Sequence, residues 1–181
     1  MPRDGLDMTL TAPVILPDLL QLTKAALGPV ETIFDIAREK LRATVTENDR
    51  ISGKLIEENQ TASHGLAWLA TYVESLRQMQ GWAERQQAEG GFSELEQLLL
   101  QITFGEYLWQ IYGGIPMNQG EILRLQDIGF GQDDMRAMMD ASVMTLTQGG
   151  NTQAARTRLV ELMQEQTGAT MYGTSGLDEE L

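Results

Sequence analysis

The sequence predicts an all-α fold, a helical bundle-like domain of about five to six helices followed by an irregular C-terminal tail. Apolar residues recur at helical spacing along most of the chain, and glycine, proline and capping residues separate these segments. Strand signals are weak, because β-branched runs are few and no Asn-Gly hairpin turn occurs. A length of 181 residues suits one domain with a single core.

The first two predicted helices lie close to the N-terminus. One begins at Pro17, whose missing amide costs nothing at a helix start, and ends at the break formed by Gly28 and Pro29. The other covers residues 29–45 and carries an amphipathic apolar repeat. Residues 1–16 are predicted to be a flexible N-terminus. Pro17 and Asp18 interrupt the apolar stretch there, so the pattern of a signal peptide is lacking.

The third predicted helix is the longest and covers about residues 54–88, with a stripe of leucine, valine and methionine. Gly65 and Gly81 each weaken it by about 1 kcal/mol relative to alanine. The exception is a glycine at which a neighbouring helix approaches closely.

The fourth helix is predicted to be central, because its apolar residues cover most of the helix circumference. It begins after Ser93, which forms a capping box with Glu96, and runs to about Tyr112. The following YGGIP segment is typical of a helix end, since glycine takes a left-handed conformation and proline prevents continuation.

Two more helices and a tail complete the prediction. One helix covers about residues 132–147 after the GFGQDD loop, and the other starts at Asn151 and ends before Gly168. Ser175 and Asp178 then form another helix start, yet the sequence ends at Leu181. Because an isolated helix needs about 12 to 15 residues, we expect this sequence to be the N-terminal piece of a longer polypeptide.

Composition excludes several classes of function. There are 26 acidic and 13 basic side chains, a formal net charge of −13, and no basic run, so binding to nucleic acid or anionic membranes is not expected. The absence of cysteine excludes disulfides, thiolate metal sites and cysteine nucleophiles. No segment approaches the roughly 18 apolar residues of a membrane span. These features predict a soluble, cytoplasmic protein.

Glu106 and His64 are the two residues that invite a catalytic interpretation. Glu106 interrupts the apolar fourth helix and should be partly enclosed, which suits an acid or base as well as a carboxylate bonded to a tyrosine or main-chain amide. His64 shares a helix face with Glu57 and Gln60. The paired Glu-x-x-His motifs of a bundle metal site are absent, so a structural or surface histidine is favoured.

The remaining motifs favour structural roles. GFGQDD lacks the strand and third glycine of a dinucleotide loop, and neither a phosphate-binding loop nor a serine nucleophile elbow occurs. A methionine group is compatible with an adaptable contact surface, although a core stripe is favoured. Aromatic residues on the third and fourth helices are expected to bind these helices together. The methionines are Met135, Met138, Met139 and Met144, and the aromatic residues are Trp68, Tyr72, Trp82, Phe104, Tyr107, Trp109 and Tyr112.

Two stretches carry a resemblance to a known family. ISGKLIEENQTASHGLAWLATYVESLRQMQGWAE, residues 51–84, and QITFGEYLWQIYGGIPMNQGEILRLQDIGF, residues 101–130, resemble the N-terminal extension of bacterial methylsuccinyl-CoA dehydrogenases. These enzymes are FAD-dependent members of the acyl-CoA dehydrogenase family and act in the ethylmalonyl-CoA pathway. The resemblance covers about residues 15–181, and the TSGLDEEL tail is similar to the entry into the dehydrogenase body.

The resemblance implies that residues 17–167 are a helical extension domain and that residues 168–181 are a linker and the start of a dehydrogenase body. In that family a glutamate of the body removes a proton beside the thioester while hydride passes to FAD. No position here matches those groups, so no catalytic, cofactor-binding or metal residue is assigned, Glu106 included. The expected partner is the dehydrogenase body of the same polypeptide in a homo-oligomer, with a role in assembly or in shaping the substrate site. A free-standing helical interaction module is the alternative.

Overall fold

The computed structural model describes residues 13–165. The all-α prediction is confirmed, because 75% of the described residues lie in helices. Seven α-helices, one 3-10 helix and two antiparallel strand pairs occur in the described range. The elements are α1 Leu19–Val45, β1 Thr46–Glu47, β2 Arg50–Ile51, α2 Gly53–Glu58, α3 Gln60–Glu89, α4 Glu94–Gly113, β3 Ile115–Asn118, β4 Glu121–Leu123, the 3-10 helix Leu125–Ile128, α5 Gln132–Ala137, α6 Ala141–Gly149 and α7 Gln153–Glu165. The predicted tail at residues 168–181 lies outside the described residues.

The first two predicted helices form one continuous helix, α1, and the predicted break at Gly28 is wrong. Pro29 lies inside this helix, where proline costs about 3 kcal/mol. Val30 and Ile33 on the same face are fully buried, and burying such a side chain contributes about 1.5 to 3 kcal/mol. Burial of this continuous apolar stripe therefore outweighs the cost of the proline.

Helix α1 packs antiparallel against α3. Lys24 pairs with Glu84 at 3.0 Å, whereas Glu31, about two turns further along α1, pairs with Arg77 near the middle of α3. A buried hydrogen bond of 2.7 Å from the Thr23 hydroxyl to Gln80 Oε1 fixes the same register. The core between the two helices is otherwise apolar.

The long third helix is divided at Asn59 into α2 and α3. Asn59 leaves the helical conformation, and its side-chain amide donates to the carbonyl of Leu55 at 2.8 Å. Such a bond competes with helix continuation. Gly65 is approached closely, but by β4, because a Cβ there would be 2.2 Å from Leu123 Cδ1. At Gly81, a Cβ would meet only the Arg85 side chain within 4 Å, at a distance of 3.4 Å. No neighbouring helix approaches there.

Helix α4 is central, as predicted. It contacts α1, α3, α6 and α7, and its side chains Leu98, Leu100, Phe104, Leu108 and Ile111 are buried. The Glu96 carboxylate accepts the Ser93 amide at 3.0 Å, which closes the predicted capping box. The helix ends at Gly113, and Gly114 takes a φ of 138°.

Two short hairpins were not predicted. Asn48 and Asp49 both have positive φ, 52° and 59°, and join β1 to β2. This is the backbone geometry of a tight hairpin turn, made here by Asn-Asp in place of the usual Asn-Gly. Strands β3 and β4 pair Ile115 with Leu123 and cover α3 at Gly65. Both pairs have two to four residues a strand, too short for an alternating pattern.

The predicted helix at residues 132–147 is divided into α5 and α6. Asp140 accounts for the division, because its carboxylate accepts the Ser142 amide at 2.8 Å and caps the start of α6. The GFGQDD segment forms the predicted loop into α5, where Asp134 accepts the Gly131 amide at 2.9 Å. Within residues 13–165, no helix has both the length and the apolar character needed to cross a membrane.

Candidate functional site

Glu106 lies half-buried on α4 with both carboxylate oxygens held by side-chain amides. Gln110, one turn later on the same helix, donates its Nε2 to Oε1, and Asn151 donates its Nδ2 to Oε2. Asn151 reaches this point because α4 and the end of α6 approach each other closely at Gly105. The predicted enclosure of Glu106 is confirmed, but its partners are side-chain amides instead of a tyrosine or a main-chain amide.

A stacked pair of tyrosines extends this network to α3. The Tyr72 hydroxyl donates to Gln110 Oε1, and the rings of Tyr72 and Tyr107 stack with centroids 4.5 Å apart. Burial raises the pKa of Tyr72 above 10.0, and Tyr107 and Glu106 raise it further. Tyr72 therefore remains a neutral donor at physiological pH. The stack confirms, for Tyr72 and Tyr107, the prediction that aromatic residues join the third and fourth predicted helices. For Trp109 the prediction is wrong, because its side chain is 63% exposed.

A cleft of about 290 Å³ opens beside this network, and we call it the Trp109 cleft. Its lining residues are Gly105, Glu106, Trp109, Thr147, Asn151 and Arg156. Trp109 is 63% exposed, although α4 is otherwise the most enclosed helix. Arg156 on α7 donates to the main-chain and side-chain oxygens of Asn151, both at 2.8 Å. The cleft lining therefore combines one exposed aromatic side chain with polar side chains held by hydrogen bonds.

The geometry of the cleft suits binding better than proton transfer. The two amides that hold Glu106 are donors that orient a carboxylate, and an amide is not an acid or base at neutral pH. Tyr72 reaches Glu106 only through Gln110. Within residues 13–165, no histidine, aspartate or second glutamate lines the cleft. The structure thus places Glu106 in an orienting network and supplies no second group for acid–base catalysis there.

His64 lies apart from this network, on the exposed side of α3. Its Nε2 accepts a hydrogen bond of 3.0 Å from Trp68 Nε1, one turn later. With Gln60 it lines a pocket of about 360 Å³, to which β4 contributes Glu121, whereas the predicted Glu57 does not line it. The buried Ser63 hydroxyl in this pocket has no hydrogen-bond partner. In the described part of the chain, no group of three His, Asp or Glu side chains could hold a metal ion.

The methionines at residues 135–144 support both the core-stripe and the contact-surface interpretation, at different positions. Met138 is buried and belongs to the core, as the core-stripe interpretation predicts. Met139 and Met144 are 53% and 37% exposed and leave the contact-surface interpretation open. Sequence reasoning missed Asn151 and Arg156, although the Gly149-Gly150 pair before Asn151 is a signal of close backbone approach.

Taken together, these features define a helical domain with a preformed polar cleft and an exposed aromatic residue. No family model matches the chain. The chain is 52% identical over 172 residues to a (2S)-methylsuccinyl-CoA dehydrogenase from Cereibacter sphaeroides. The matched region covers 95% of this chain and 31% of that enzyme, so the chain spans about a third of the relative's length. The resemblance to methylsuccinyl-CoA dehydrogenases noted in the sequence is confirmed, and the chain matches part of such an enzyme.

Proposed function

We propose that this chain is the helical N-terminal extension of an FAD-dependent acyl-CoA dehydrogenase of the methylsuccinyl-CoA type. The observation that carries the proposal is the 52% identity over nearly the whole chain to part of such an enzyme. Residues 17–167 form the extension domain in this proposal, and residues 168–181 lead into the dehydrogenase body. The role of the extension is assembly of the enzyme or shaping of its substrate site. Its cytoplasmic location stays a prediction.

The chemistry of the reaction is assigned to the body and not to this domain. The Trp109 cleft of about 290 Å³ is at the small end of the range for ligand pockets, roughly 300 to 1,000 Å³. It has one aromatic wall, and it does not fit a flavin dinucleotide. FAD would supply the hydride acceptor when bound to the full polypeptide, and in this proposal the body's residues, not those described here, would hold it. We therefore expect the chain alone neither to retain FAD nor to oxidise acyl-CoA thioesters.

A deletion tests the assembly role. Removing residues 1–170 from the full-length enzyme is expected to lower its melting temperature or change its subunit count, because the surface that the extension covers becomes exposed to water. Removing residues 1–12 is the matched control, since every described helix stays in place. Calorimetry, mass in solution and turnover of methylsuccinyl-CoA are the three measurements. A shortened enzyme unchanged in all three would exclude both docking and site shaping.

The free-standing interaction module is separated from this proposal by the gene itself. A reading frame that continues beyond Leu181 into a dehydrogenase supports an extension domain. A stop codon directly after Leu181 would support the module. Stoichiometric flavin in the purified chain, or turnover with an artificial electron acceptor, would contradict the assignment of chemistry to the body.

A further inference from the structure

Trp109 is an exposed tryptophan on a helix whose other large apolar side chains are mostly buried. Its neighbours Phe104, Leu108 and Ile111 on α4 are buried, whereas Trp109 is 63% exposed. Met144 on α6 precedes the cleft residue Thr147 by three residues, so it lies on the same helix face one turn away. Met144 is itself 37% exposed. Tryptophan and methionine are both enriched at protein interfaces.

Glu106 gives this apolar patch a charge preference. Each carboxylate oxygen accepts one amide hydrogen, and a carboxylate offers about four acceptor positions, so further positions remain for a donor. Among residues 13–165, Glu106 has no cation within salt-bridge distance. Arg156 also lines the cleft and brings one positive charge to it, but its guanidinium donates to Asn151 and Gln153 and makes no ion pair with Glu106. An aromatic face beside an oriented carboxylate attracts a guanidinium or ammonium group.

The charge of the chain bears on which molecule supplies that cation. A second copy would bring its own net charge of −13 against the first, and like charges oppose association. The matched enzyme is about three times as long as the aligned region, so under the proposed function a covalently joined dehydrogenase body lies within reach of this domain. We propose that the Trp109 cleft, with Met144, receives an arginine or lysine side chain of the dehydrogenase body. This inference rests on the proposed function and names the surface that docks.

The test uses the full-length polypeptide with four variants. Trp109→Ala removes the aromatic wall, Glu106→Gln removes the charge with nearly the same shape, and Val160→Ala removes an exposed apolar side chain of α7 outside the cleft. Trp109→Phe keeps an aromatic face and should restore part of the effect. The readout is the rate at which Met144 is oxidised by dilute hydrogen peroxide, measured by peptide mass spectrometry. Circular dichroism checks that each variant is folded.

The expected result is that Met144 is protected in the wild-type polypeptide and that Trp109→Ala shifts the docked–undocked equilibrium by about tenfold or more, as for a central interface tryptophan. Glu106→Gln should reduce the protection and its salt dependence, and Val160→Ala should change neither. Met144 oxidised equally fast in the wild type and in Trp109→Ala would overturn the inference. So would protection that appears in the isolated chain as its concentration rises, because a second copy would then be the occupant. If the deletion of residues 1–170 matters but Trp109→Ala behaves like the control, the proposed function stands and this surface is wrong.

Discussion

Gly105 of α4 lies directly against Gly150 at the end of α6. A Cβ on Gly105 would be 2.9 Å from the Cα of Gly150 and 2.6 Å from the amide nitrogen of Asn151. Two glycines in contact let the helices approach until only backbone separates them. This approach carries Asn151 to the Glu106 carboxylate, so the packing of the core and the geometry of the cleft have a common origin.

Replacing Gly105 by alanine is expected to destabilise the chain. Alanine is favoured over glycine inside a helix by about 1 kcal/mol, but the added methyl must displace backbone, and overpacking of this kind costs about 1 to 3 kcal/mol. We expect a net loss in the free energy of unfolding, measured by urea denaturation. Gly113→Ala on the same helix is the control, since nothing lies within 4 Å of its Cβ position. Equal stability of the two variants would show that the contact at Gly150 is not tight.

The buried bond between Thr23 and Gln80 supports a second prediction. Thr23 is fully buried and Gln80 is 3% exposed, so Thr23→Val removes the hydroxyl that donates to Gln80 Oε1 and leaves that oxygen without this donor. An unsatisfied buried polar group costs about 1 to 3 kcal/mol. Thr32→Val on the same helix is the control, because the Thr32 hydroxyl is exposed and bonds only its own helix at Gly28. A loss in the melting temperature no larger than that of the control would contradict the prediction.

The central helix could be predicted from sequence because its signals are local. Ser93 and Glu96 specify the start of α4, the two glycines at 113 and 114 specify its end, and apolar residues around its circumference specify its burial. The division at Asn59 depends on one side-chain bond that competes with the helix. Asparagine inside a helical pattern is not by itself a stop signal, so this division was not predictable.

The helical conformation at Pro29 and the formation of the Trp109 cleft both depend on tertiary packing, which the sequence pattern does not reveal. Pro29 signals a helix break locally, and only the burial of Val30 and Ile33 against neighbouring helices outweighs that signal. Trp109 has an apolar neighbourhood in sequence, and its exposure follows from the way α6 and α7 pack beside α4. Asn151 is distant from Glu106 in sequence, and no periodic pattern joins them.

The ion pair between Glu94 and Arg158 supports a third prediction, on the attachment of α7. Arg158 donates two hydrogen bonds of 2.8 Å to the two carboxylate oxygens of Glu94 at the start of α4. The hydrogen bond from Arg158 holds the pKa of Glu94 below its ordinary value. Its stabilising contribution is therefore present above the unfolded pKa of about 4.3 and is lost as the pH falls through the lower folded value.

Acidification should accordingly loosen α7 before it unfolds the whole chain. We expect hydrogen-exchange protection of α7 amides to fall with pH in the wild type and to be low and nearly independent of pH in Arg158→Leu. Arg136→Leu is the control, because Arg136 and Asp133 are 76% and 99% exposed and such pairs contribute little. Protection of α7 that falls with pH equally in wild type and Arg158→Leu would assign the pH dependence to other groups.

The phenol of Tyr112 supports a fourth prediction, at alkaline pH. Tyr112 donates a hydrogen bond of 2.9 Å to the carbonyl of Met138 and so ties α4 to the end of α5. Burial, with a smaller contribution from the charge of Asp140, raises the pKa of Tyr112 from 10.0 to about 12. The fold thus favours the neutral phenol. Its contribution is complete below the unfolded pKa of about 10 and disappears as the pH rises through about 12, a change of about 3 kcal/mol in the free energy of unfolding.

Tyr112→Phe isolates this effect, because it keeps the buried ring and removes the ionisable group. At neutral pH the variant should lose about 1 kcal/mol, the net value of one hydrogen bond. Between pH of about 10 and 12 its stability, measured from urea midpoints, should fall less steeply than that of the wild type, until the two curves meet or cross. Some alkaline loss should persist through Tyr72, whose pKa is also raised by burial. If the free energies of unfolding of wild type and variant fell in parallel over this interval, the pKa of Tyr112 would not be raised in the folded chain and the prediction would be wrong.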